Sequence, residues 1–91
     1  MKARVNINKL NSGKVQIAVL SPDQMTGPVV DFPSSKEAKT ALLAFGIDSN
    51  TVKSKLALLA EIGSKELLQF PEQELNDNAL RTHGFRIGIS N

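Results

Sequence analysis

The chain has no cysteine, no tryptophan and no tyrosine, and its one histidine is His83. Without thiols, disulfide frameworks, thiolate zinc sites and cysteine nucleophiles are excluded, and a reducing compartment such as the cytoplasm is the expected location. A Ser–His–acid arrangement has to use His83, and no Gly-x-Ser-x-Gly elbow surrounds any serine. Metal binding by His83 with Glu74 or Asp77 lacks a second imidazole. The expectation is therefore no enzyme, no cofactor and no metal. Apolar runs are short as well. None approaches the roughly 20 residues that cross a bilayer, and the basic start at Lys2 and Arg4 leads into alternation instead of the apolar block of about 7 to 15 residues found in secretory signals. No membrane association is expected.

What is present suits one ordinary globular domain over residues 1–91, with 41% apolar residues and a net charge of +2. The charge is unevenly placed. Lys2, Arg4, Lys9 and Lys14 precede the first acid, Asp23, whereas the remainder carries seven basic and nine acidic residues. Such an asymmetry fits either a surface that meets an anionic partner or an edge hairpin whose charges deter strand-to-strand aggregation.

The first twenty residues alternate. Ala3, Val5 and Ile7 oppose Arg4, Asn6 and Asn8, and Val15, Ile17 and Val19 oppose Lys14, Gln16 and Ala18, the period of two strands with one buried face. Asn11-Ser12-Gly13 between them has the composition of a tight hairpin loop. After the Ser21–Gly27 loop, the apolar run Pro28–Phe32 reads as a third strand. Ser34 and Glu37 form a capping box for a helix whose Ala38, Ala41, Leu42 and Phe45 share one stripe before Gly46. Asp48 or Ser49 caps a second helix with Val52, Leu56, Leu59 and Ile62 on one stripe, widened by Leu58, so this helix is expected to be largely buried. A short strand at 67–70, a brief helix capped near Asn76 or Asp77 and a last strand at 85–89 complete the pattern. The expected fold is α+β in the order β-β-β-α-α-β-α-β: a mainly antiparallel sheet of four or five strands that starts with a β-hairpin, with two longer helices and one short helix on one face.

Residues 29–47 and 67–85 follow the same script at an offset of 38: an apolar run closed by Phe-Pro, seven residues, Ala-Leu, three residues, Gly and an apolar residue. Duplication and independent use of the same strand–helix grammar both account for it, and both predict that the two stretches superpose. The repeat puts His83 in the slot of Phe45, the position of a partly buried histidine packed against the sheet. The string Asn11-Ser12-Gly13-Lys14 lacks the leading glycine of a phosphate loop and joins two strands.

Between the first two helices, Gly46-Ile47, three residues, Thr51-Val52, two residues and Lys55-Leu56 resemble the turn and recognition helix of the Fis family of DNA-binding proteins. The resemblance covers residues 41–56. It implies a helix-turn-helix-like segment at 36–61, with Ser49, Asn50, Thr51, Lys53 and Ser54 facing DNA, Asn50 reading a base edge and the lysines on phosphates. The alternative is a packed αα-hairpin, which needs the same glycine stop and Asp or Ser cap.

Single-stranded nucleic acid on the hairpin finds no aromatic for base stacking. A protein partner is the leading expectation, met by the outward face of Arg4, Asn6, Asn8, Lys14 and Gln16 and by Met25 at the tip of its loop. Function is thus expected to be that of a small binding or regulatory module, with DNA binding through the second helix as the alternative.

Overall fold

Alternation in the first hairpin makes one side of the sheet fully apolar, and the helices close over that side. The computed structural model describes residues 1–63 and 66–86. It contains β1 (Lys2–Lys9), β2 (Val15–Leu20), β3 (Val29–Phe32), α1 (Ser35–Ala44), α2 (Ser49–Ile62), β4 (Leu67–Glu74) and α3 (Asp77–Thr82). The four strands form one antiparallel sheet in the order β3-β2-β1-β4, and with the three helices they give the expected α+β class. The anticipated strand at 85–89 lies for the most part outside the described residues.

Ala3, Val5, Ile7, Val15, Ile17 and Val19 are all fully buried, together with Ala38, Ala41, Leu42, Phe45, Val52, Leu59 and Leu80 from the helices. Register follows from the turn. Gly13 adopts φ +91°, which an L side chain rarely tolerates, and its N–H donates to the Leu10 carbonyl at 2.9 Å. The closure sets Lys9 opposite Val15 and Ile7 opposite Ile17.

The two repeated stretches occupy the two edges of the sheet in matching register. Phe32 and Val30 of β3 lie opposite Val15 and Ile17, while Phe70 and Leu68 of β4 lie opposite Val5 and Ile7. The helix ends match too. Gly46 and Gly84 have φ +97° and +95°, Ile47 N–H donates to the Leu42 carbonyl, and Phe85 N–H donates to the Leu80 carbonyl. Between these landmarks the stretches differ. Pro33 ends β3 two residues before α1, whereas β4 runs on through Pro71 to Glu74, so the expected strand at 67–70 is four residues too short. Pro71 and Glu72 together oppose Arg4, because Val5 pairs with Phe70 and Ala3 with Gln73. A proline, which has no N–H, fits a bulge on an edge strand where a ladder bond is missing anyway.

α2 corrects a second expectation. Val52 and Leu59 are buried and Leu56 and Ile62 pack against the core, but Leu58 is 42% exposed. The helix therefore lies half in solvent: Leu58 is about 100° round the helix from the buried Leu59 and turns away from the core. No described helix is long and apolar enough to cross a membrane.

The Met1 ammonium donates to Asp77 Oδ1 at 2.7 Å, to Glu74 Oε2 at 2.6 Å and to the Leu75 carbonyl at 2.9 Å, tying the start of β1 to the β4–α3 junction. The Asp77 and Glu74 hydrogen bonds hold this amine above its ordinary value of 8.0, and the amine holds the Asp77 carboxyl below 3.8. A raised amine contributes stability that is present below pH 8.0 and lost as pH rises through the raised value. A lowered carboxyl contributes stability that is present above pH 3.8 and lost as pH falls through the lowered value. Urea midpoints of the 91-residue chain measured against pH are expected to fall on both sides of that window, and Asp77→Asn to flatten the alkaline limb. A second expectation concerns Gly27, where a Cβ would stand 2.0 Å from the Val19 carbonyl oxygen. Gly27→Ala is expected to cost on the order of 2 kcal/mol or more in urea unfolding, since backbone must move to admit the methyl.

Candidate interaction surfaces

The uncovered face of the sheet gathers most of the hairpin residues singled out by sequence. Outward positions alternate with the buried ones, so Arg4, Asn6 and Asn8 of β1 stand beside Ala18 and Gln16 of β2, with Asn6 across from Ala18 and Asn8 across from Gln16. Gln69 and Leu67 of β4 and Val29 and Asp31 of β3 extend the two rows to the edges. Gln16 Nε2 donates to Asp31 Oδ1 at 3.0 Å. Arg4 Nε and Asn6 Oδ1 are shielded from solvent and have no hydrogen-bond partner among the described residues. Lys14 sits at the hairpin turn, six positions along β2 from the partner of Arg4, about 20 Å away at the strand rise per residue.

Met25 projects at the opposite end. It is 89% exposed, on a loop held at several points. Arg4 Nη2 donates to the Gln24 carbonyl at 2.8 Å, Gln24 N–H to the Ser21 carbonyl at 3.1 Å, and Val19 N–H to the Pro28 carbonyl at 3.1 Å. Gly27 lies flat against the Val19 carbonyl, where only glycine fits. The loop thus folds over Leu20, which its position in the alternation would otherwise expose and which is 6% exposed.

The second group of expected contact residues lies on the helical side. Asp48 is the N-cap of α2, its Oδ2 accepting from the Thr51 N–H at 3.0 Å and the Thr51 hydroxyl at 3.2 Å. Ser49, Asn50, Lys53 and Ser54 are exposed on the first two turns, whereas the Thr51 hydroxyl is committed to the cap. Lys55, part of the helix-turn-helix resemblance, turns the other way: its Nζ stands 6.0 Å from the centroid of Phe70. Past Lys53 the exposed positions of α2 include Ser54, Ala57, Leu58 and Glu61.

His83 is half-buried at the end of α3, with its ring 5.8 Å from Phe45 in an edge-on arrangement and 6.2 Å from Phe32. It lines an open depression of about 430 Å³ with Phe32, Pro33, Lys36, Glu37 and Thr40. The hydroxyl of Thr40 is spent on the Lys36 carbonyl at 3.2 Å. Glu37 accepts from the Ser34 hydroxyl, the main reason its carboxyl lies below the usual range. Among the residues that line the depression, the Thr40 hydroxyl and the Glu37 carboxylate are both already hydrogen-bonded within α1 and its cap. Among the described residues no cluster of His, Asp and Glu could hold a metal ion.

Two features escaped the sequence reading. The amine clamp joins residues more than seventy positions apart. A groove between α1 and α2 brings Lys36 and Lys39 beside Lys53. The spacing of Lys36 and Lys39 on one helix face was available, but their approach to Lys53 needs the packed hairpin. Compared with protein-family models, curated proteins and solved structures, the chain gives no significant match.

Asp48→Ala removes both bonds to Thr51 and is expected to lower stability by about 1 kcal/mol in urea unfolding, the usual worth of an N-cap. Asp48→Asn should recover most of that loss.

Proposed function

We propose that this domain is a non-enzymatic binding or regulatory module that works in the cytoplasm through a protein partner docked on the uncovered sheet face. Met25 carries the reading. A large apolar side chain held almost wholly in solvent by a loop tied to β1 and β2 has no role in the core of its own domain. It is suited to enter a pocket on another protein, since methionine adapts its shape to its surroundings. The adjoining face supplies what such an anchor needs around it. Asn6, Asn8 and Gln16 offer side-chain amides, and Val29 and Leu67 are 51% and 56% exposed at the corners.

Duplex DNA binding through residues 36–61 is the second reading, favoured by the exposure of Asn50, Lys53 and Ser54. Its weakness lies on the recognition helix itself: Asp48 stands at the N-terminus of α2 and Lys55 faces Phe70, which leaves Lys53 as the lysine of α2 on the outward face.

A photo-crosslinking amino acid placed in turn at Met25, Asn8 and Asn50, in cells that produce the protein, separates the two. Protein adducts from Met25 and Asn8 but not from Asn50 are the expected outcome. Nucleic-acid adducts from Asn50, with none from the sheet face, would replace the first reading by the second.

A further inference from the structure

The hairpin of α1 and α2 carries a shallow, open groove with an apolar floor and a basic rim. Its volume is about 460 Å³, its floor Leu56, Ala57 and Ala60 and its rim Lys36, Lys39 and Lys53. No carboxylate lines it. Glu37, between the two α1 lysines in sequence, is bound to the Ser34 hydroxyl and lines the neighbouring depression instead. Helical periodicity accounts for the pattern: Lys36, Lys39 and Leu43 fall at i, i+3 and i+7 on α1, and Lys53, Ala57 and Ala60 at i, i+4 and i+7 on α2. Leu43, 38% exposed, continues the apolar surface along α1.

We infer that this groove is a docking site for an acidic amphipathic helix of a partner protein, separate from the sheet face and not dependent on it. Charge complementarity selects the occupant: three ammonium groups and no carboxylate meet carboxylates best. The floor selects its shape. Alanine at 57 and 60 lets a third helix approach two others closely, and its apolar side covers Leu56 and Leu43 while its acidic flank reaches the lysines. The length is commensurate, since the ten residues of α1 span about 15 Å, close to three turns of a partner helix. A nucleic-acid backbone would use the same lysines but would leave the floor and Leu43 uncovered, and it would meet the Asp48 carboxylate at the start of α2.

A library of random peptides of about 16 residues, enough for four helical turns, selected on the full chain and counter-selected on Lys36→Glu/Lys39→Glu/Lys53→Glu, tests this. The selected peptides are expected to be enriched in Asp and Glu, with Leu, Ile or Phe at i, i+3 and i+4. A synthetic representative should shift amide NMR signals within 36–43 and 53–60, leave Asn6, Asn8 and Gln16 unmoved, and bind the triple variant and Ala57→Asp at least about tenfold more weakly. Signal dispersion in the same spectra reports folding, and the single exposed change Lys53→Glu repeats the comparison if the triple variant is unfolded. Recovery of no peptides, absence of acidic enrichment, shifts confined to the sheet face or equal affinity for the variants would overturn the inference. A labelled DNA duplex that binds the wild-type groove more tightly than the peptide would also overturn it and assign the lysines to nucleic acid.

Discussion

The structure depends on the pairing of two alternating strands that present six fully buried residues, Ala3, Val5, Ile7, Val15, Ile17 and Val19, to one side. Side chains alternate with period two, so a slip of one residue between β1 and β2 would send all three buried residues of one strand to the solvent side. The turn at Asn11–Gly13 fixes the register and the apolar side enforces it. Everything else is placed relative to that hairpin. β3 and β4 add to its two edges, and the helices gather over the apolar side because burying that surface is the largest stabilising term available to a chain of this size. The opposite side is left to Arg4, Asn6, Asn8 and Gln16.

The two Phe-Pro units show how far a shared local grammar constrains structure. Both phenylalanines are buried at sheet edges opposite a valine, and both helices end on a glycine with positive φ. The prolines between these landmarks behave differently. Pro33 precedes a serine that caps a helix at once, whereas Pro71 is taken up in a bulge against Arg4 and the strand continues. A missing N–H stops a strand only where a partner would have needed it. The ends of the two units meet in the core, where Phe32, Phe45, His83 and Phe85 pack with ring centroids 5.6 to 6.5 Å apart. His83 thus forms part of the aromatic packing, at the margin of the depression it lines with Lys36, Glu37 and Thr40.

The domain carries two surfaces of different chemistry on opposite sides. The sheet side is rich in side-chain amides and ends in an exposed methionine, a composition that favours directional hydrogen bonds around an apolar anchor. The helical side carries lysines around an apolar groove, which favours an acidic partner with one hydrophobic flank. Leu56 belongs both to the groove and to the packing against the core, and Arg4 belongs both to the sheet face and to the hold on the Gln24 loop, so the two surfaces are not independent of the fold at those residues.

Local chemistry determined a good deal of this from sequence alone. The strand alternation, the hairpin turn, the caps at Ser34, Asp48 and Asn76 and the glycine stops all involve partners within a few residues, so they can be read from neighbours in the chain. Tertiary structure decided the rest. Leu58 borders the stripe of α2 yet stands half in solvent, because packing covers the side of the helix that carries Val52 and Leu59 and leaves the neighbouring side open. Lys55 belongs by spacing to a DNA-facing pattern yet lies over Phe70, a residue of a strand that follows later in the chain. The course of β4 through Pro71, the clamp on Met1 and the meeting of Lys36, Lys39 and Lys53 likewise depend on neighbours distant in sequence. Periodicity says which side chains share a face; only packing says what that face meets.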